Sequence, residues 1–128
     1  MPQPAARQND PVTGIDTHIL VVPGAGPTPT PLPYAGQLAL ALSPDVLVNS
    51  LPAATVDSIS VQPPHIPPPS TSFTKPPTNQ GRVVMGSTTV LVNGKPLARL
   101  GDPVATCNDP VDLPVSKIVA GSPDVLVG

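Results

Sequence analysis

GSTTVLVNGKPLARLGDPV, residues 86–104, reads as a hairpin and serves as the template for the rest of the chain. Two β-prone runs, TVLV and KPLARL, flank Asn93-Gly94. Asn-Gly suits a two-residue turn because both residues tolerate the left-handed backbone such a turn needs. A second copy, SPDVLVNSLPAATVDS at 43–58, aligns on it without gaps. Ser43 falls on Ser87, Val46-Leu47-Val48 on Val90-Leu91-Val92, Asn49 on Asn93 and Pro52 on Pro96. Asp57 falls on Gly101 and Ser58 on Asp102. The third copy is split. SPDVLVG at 122–128 supplies its first half, and its second half lies within 4–14, where Pro4-Ala5-Ala6-Arg7 matches Pro96-Leu97-Ala98-Arg99 and Asn9-Asp10-Pro11-Val12 matches Gly101-Asp102-Pro103-Val104. Repeats at a fixed unit are the first thing a fold must satisfy. The simplest object that satisfies these is closed, with three similar sectors, one of them completed where the two ends meet. Closure also removes free sheet edges.

Composition agrees with a narrow β body. The chain has 128 residues, enough for one domain, with no Trp, one Tyr and one Phe. Its core must come from Val, Leu and Ala. With 22 Pro and 10 Gly, helices of any length are excluded apart from a short turn around 34–41. A net charge of −2 and plentiful aliphatics oppose the disordered reading that such proline content otherwise suggests. The proline-rich segments 23–37 and 63–81 read as irregular, extended connections between repeats. No basic stripe exists to neutralise phosphates, so nucleic acid is not an expected partner. The start, MPQPAARQND, lacks the apolar segment of a secretory signal, and the longest apolar run, LALAL at 38–42, is too short to span a bilayer. A soluble cytoplasmic product is expected. One cysteine, Cys107, forbids an internal disulfide.

The segments PAARQNDPV, VLVNGKPLARLGDPVATC and GSPDVLVG resemble PAAR-repeat proteins, whose Pro-Ala-Ala-Arg motif is literal at Pro4 to Arg7 and degraded to Pro52-Ala53-Ala54-Thr55 in the middle copy. The resemblance covers nearly the whole chain and points to members associated with type VI secretion, extracellular contractile systems and phage-like tails. It implies a small conical all-β fold, a single PAAR-type domain over 1–128, a monomeric tip seated on a trimeric spike, and no enzymatic activity. It also implies transient contact with a target membrane on firing, delivery outside the cell or into a target cell, and effector cargo as a further partner.

The chain's two His and single Cys nearly determine any soft-metal site. His18 lies eight residues after Asp10, His65 seven after Ser58 and Cys107 five after Asp102, so each sector sends one soft ligand just beyond its second strand. If the sectors converge, His18, His65 and Cys107 meet. Imidazole and thiolate suit Zn2+, with iron as the competitor, and a metal would add folding energy to a tip with little core. The resemblance implies three histidines and one cysteine; one histidine is missing here, leaving water or a carboxylate such as Asp16 or Asp109 for the fourth place. An open fourth place also admits a freestanding metal-dependent hydrolase, and the loops at 23–33 and 63–77 admit an effector adaptor. No GxSxG elbow, phosphate-binding loop or EF-hand supports other chemistry.

Overall fold

A computed structural model describes residues 2–128, and among these there is no helix. In chain order the strands are β1 (Gln3–Pro4), β2 (Pro11–Val22), β3 (Gly26–Leu40), β4 (Leu47–Val48), β5 (Leu51–Pro52), β6 (Ile59–Val61), β7 (Ser72–Phe73), β8 (Gln80–Val83), β9 (Leu91–Val92), β10 (Lys95–Pro96), β11 (Pro103–Thr106), β12 (Leu113–Ile118) and β13 (Leu126–Val127). The larger sheet runs β12-β11-β8-β6-β3-β2-β7, and β12 also pairs with β2. That last pairing closes three antiparallel strand pairs, β2–β3, β6–β8 and β11–β12, into a six-stranded ring with β7 outside it.

Below the ring lie the three hairpins read from the sequence. β9–β10 turns through Asn93-Gly94 with φ of 53° and 78°, and β4–β5 through Asn49-Ser50 with φ of 51° and 66°. The third is β13–β1, pairing Leu126 with Pro4 and Val127 with Gln3. The sectors interlock in a cycle: Ala6 N–H donates to the Ala98 carbonyl at 2.9 Å, Ala98 N–H to Ala54 at 2.9 Å, and Ala54 N–H to Ala6 at 3.0 Å. All three alanines are fully buried, because three backbones meeting about one axis leave room for a methyl group and little else. Changing Ala54 to Val should therefore cost about 1–3 kcal/mol through overpacking, read as a lower denaturant midpoint at unchanged slope.

The seams between hairpins repeat with the same symmetry. Ser43 Oγ donates to Asn93 Oδ1 at 2.5 Å, Ser122 Oγ to Asn49 Oδ1, and Ser87 Oγ to the Gly128 carbonyl at 2.6 Å. Each of these oxygens also accepts the backbone N–H three residues on, at Val46, Val125 and Val90. Arg7 and Arg99 pair with Asp10 and Asp102 at 3.1 and 3.0 Å. In the middle copy Thr55 and Ser58 replace that pair, and Ser58 Oγ accepts the Thr55 N–H at 2.9 Å, as the carboxylates do for the arginines. The alignment of Ser58 with Asp102 is thus a structural equivalence.

Six strands enclose a space narrower than the eight-stranded barrel that side chains just fill. The interior is accordingly built from small residues. A Cβ on Gly14 would stand 2.1 Å from Ser116 Oγ, and one on Gly81 would stand 2.7 to 2.8 Å from Thr106, Ser60 and Val104. This is why the chain manages almost without aromatics. Inside, the layers change character along the axis: Val12, Leu38, Val83, Val104 and Ile118 pack near the alanine ring, and beyond them come Ser60, Thr106 and Ser116. Tyr34, the single large aromatic inside, has its hydroxyl 2.7 Å from Ser60 Oγ.

Segment 23–37 differs from the extended connection expected of it, as does the short turn around 34–41. Residues 26–40 form β3, paired with β2 from Pro11↔Gln37 to Val22↔Gly26. The prolines allow this because they alternate. Leu38 N–H donates toward β2, to the Asp10 carbonyl, and Ala35 N–H points the opposite way, to Gln62 Oε1. Pro27, Pro29, Pro31 and Pro33 share the parity of Ala35, so from 27 to 33 the positions facing away from β2 carry no N–H. Over 27–33 the outer edge of β3 has nothing to donate to an incoming strand, a natural form of edge protection. Replacing Pro27, Pro29 and Pro31 together by Thr should restore those donors and raise self-association relative to the unaltered chain in sedimentation runs. Segment 63–81 is mostly unpaired, as expected, with β7 and the start of β8 as its only strands among the described residues.

Candidate metal centre and threefold base

Past the serine and threonine layer the interior ends in four polar side chains. His18 and Asp16 come from β2, His65 from the segment after β6, and Cys107 from the residue after β11. The three sectors thus deliver the soft residues in the phase their spacing suggested. One candidate donor atom from each of Asp16, His18, His65 and Cys107 lies within 4.8 Å of all the others. The sequence left water or a carboxylate such as Asp16 or Asp109 for the fourth place; Asp109 lies outside this cluster, with Oδ2 accepting the Ile19 N–H at 3.1 Å and the Thr74 hydroxyl at 3.3 Å.

Burial is nearly complete. Asp16 is 0% exposed and His18 and Cys107 are 2% exposed. His18 packs edge-on against Phe73, at 5.5 Å between ring centroids, and against His65, at 5.0 Å. Its Nε2 is buried with no hydrogen-bond partner, a costly state for a polar atom. Burial lowers the His18 pKa, helped by the neighbouring His65. Burial also pushes the Cys107 thiol up to about 11, reinforced by Asp16 and partly offset by the Asn79 backbone N–H. Asn79 serves the neighbour too, its Oδ1 accepting the His65 N–H at 2.9 Å.

The donor set fits a metal ion. A tetrahedral shell with bonds of about 2.0–2.3 Å has ligand-to-ligand edges of roughly 3.3–3.7 Å. Asp16 Oδ2 stands 3.2 Å from His65 Nε2 and 3.4 Å from Cys107 Sγ. His65 Nε2 also lies 2.8 Å from the Gln62 amide nitrogen, and the Gln62 carbonyl oxygen accepts the Ala35 N–H at 3.1 Å. An ion held at Nε2 would take the place of that amide contact.

The opposite end of the molecule is apolar and exposed. Leu47, Leu91 and Leu126 are 60%, 63% and 61% exposed, and Val46, Val90 and Val125 are 36%, 37% and 37% exposed. Equal exposure at equivalent positions of three hairpins makes this a surface with threefold symmetry in chemistry as well as in backbone. The alternating partners, Val48, Val92 and Val127, point inward and pack with Ala5, Ala53 and Leu97. Sequence reasoning saw the Val-Leu-Val runs as strand signals but not which of each three residues would face out.

No curated protein matches the chain. Among the described residues no helix is long and apolar enough to cross a membrane. Residues 73–128 match the family described as PAAR motif. The matched region holds one complete repeat and the first half of the split one, and the same hairpins, alanine contacts and seams recur in the remainder; the chain carries a PAAR motif over residues 73–128.

Proposed function

We propose that this chain caps and sharpens the trimeric spike of a contractile injection machine, with its threefold base seated on the spike and its metal centre stiffening the far end. The observation that carries this reading is the base: three Val-Leu pairs, matched in exposure to within a few per cent, on one chain. A patch of this kind marks an interaction site, and a partner with true threefold symmetry offers each hairpin the same contact. The PAAR match supports the same role. Native mass spectrometry with the cognate spike should show one chain per spike trimer. A folded, metal-loaded chain that leaves the spike unbound overturns the proposal.

In this role His18, His65 and Cys107 hold a metal ion, for which Zn2+ suits the donors best and iron is the competitor. A bound ion supplies a cross-link among three segments distant in sequence and stabilises the thiolate that burial disfavours. The residues themselves supply the orientation: Asn79 fixes His65 and Cys107, and Phe73 covers His18. The space beside His18 and Cys107 has no room for a water molecule, which favours a structural site over a hydrolytic one. Cargo would attach apart from the base, through the sparsely paired segment 63–77; pull-down with that segment shortened tests this.

A further inference from the structure

Asp16 is the odd member of the cluster. A fully buried carboxylate normally has a basic partner, yet the only ion-pair partner of Asp16 among the described residues is His65. Its two oxygens are differently employed. Oδ1 accepts the Thr106 hydroxyl and, at 3.4 Å, the Asn108 amide. Those two donors are themselves fixed: Asn108 Nδ2 also donates to the Thr106 carbonyl at 2.9 Å, its Oδ1 accepts the Thr17 N–H at 2.7 Å, and Thr106 Oγ1 lies 3.1 Å from Ser116 Oγ. Oδ2 is left facing His65 and Cys107, in the cluster that also holds His18, whose Nε2 is unpartnered.

We propose that Asp16 is the fourth ligand of this centre, binding through Oδ2 while Thr106 and Asn108 hold Oδ1. This rests on the metal reading given above. The shell is then two imidazoles, one thiolate and one carboxylate. Two anionic ligands neutralise a divalent ion, so the buried site carries no net charge, whereas a third imidazole in place of the carboxylate would leave a buried positive charge. The site is thereby fitted to a divalent, tetrahedral ion and closed to water. Thr106 is a positioning residue, acting through the carboxylate.

The test uses the full chain loaded with Zn2+ or Co2+. Competition against a chromophoric chelator should show Asp16→Asn weakening Zn2+ binding by on the order of 100-fold or more, and Thr106→Val by about 10-fold, with Thr106→Ser restoring it. Azide added to the Co2+-loaded wild type should leave the visible spectrum unchanged, because a carboxylate and not an exchangeable water closes the shell. A folded wild type that takes up no metal defeats the metal reading itself. A wild type that binds metal, with Asp16→Asn equal to it in affinity or with an azide-dependent spectrum, defeats the assignment of Asp16 alone. The azide arm needs no variant, so poor folding of Asp16→Asn leaves the assignment testable.

Discussion

Leu47, Leu91 and Leu126, each changed singly to Asp, should weaken binding to the spike trimer by nearly the same factor, and the triple change should abolish it. Burying one leucine is worth about 1.5–3 kcal/mol, or roughly 10- to 100-fold in affinity, and a charge placed in the same contact adds a desolvation cost. Because these side chains are 60–63% exposed in the free chain, metal content and melting temperature should not move. Surface plasmon resonance on the three single variants is the direct measurement. One variant that weakens binding while the other two do not would mean that the partner lacks the threefold face assumed for it. Equal loss would tie the affinity to the symmetry of the base, since the three leucines belong to three different parts of the chain.

His18→Ala should release the metal and lower the melting temperature by on the order of 10–20 °C. Metal-binding energy appears as folding energy when the unfolded chain has no site; a loss of about 4 kcal/mol corresponds to a shift of that size in a domain of this length. Chelator added to the wild type should bring it down to the level of the variant, and chelator added to the variant should do nothing further. Scanning calorimetry with metal analysis of the same samples checks both statements. Identical melting with and without metal would show that the alanine ring and apolar layer hold the barrel unaided.

Much of this architecture was legible in the chain because the repeat carries its own punctuation. Asn93-Gly94 fixed one hairpin, the matching Asn49 fixed the second, and the split Pro-Ala-Ala-Arg unit required the two ends to pair, as β13 and β1 do. The meeting of His18, His65 and Cys107 was legible for want of alternatives, since the chain offers only two histidines and one cysteine, and the structure does bring them together. Segment 23–37 was not legible as a strand. Proline counts against a central strand, and only knowledge of which edge is unpaired shows that alternate prolines cost β3 no hydrogen bonds. The place of Asp16 inside the cluster and of Asp109 outside it was also hidden, because both lie near the right phase and only the backbone path shows that Asp109 accepts the Ile19 N–H. The closure of three strand pairs into a ring depends on β12 meeting β2, a contact between residues such as Ile118 and Val12 that no local pattern announces.

The three sectors are alike in backbone and unlike in detail, with Thr55 standing where the other two copies have arginine. A partner with exact threefold symmetry cannot perceive that difference in azimuth. It receives the chain in any of three rotations with equal energy, a statistical gain of about 0.65 kcal/mol. Whatever is fastened to one wall of the molecule will then point in one of three directions, chosen afresh in each assembled machine. Only a spike that has itself lost its symmetry can aim its load.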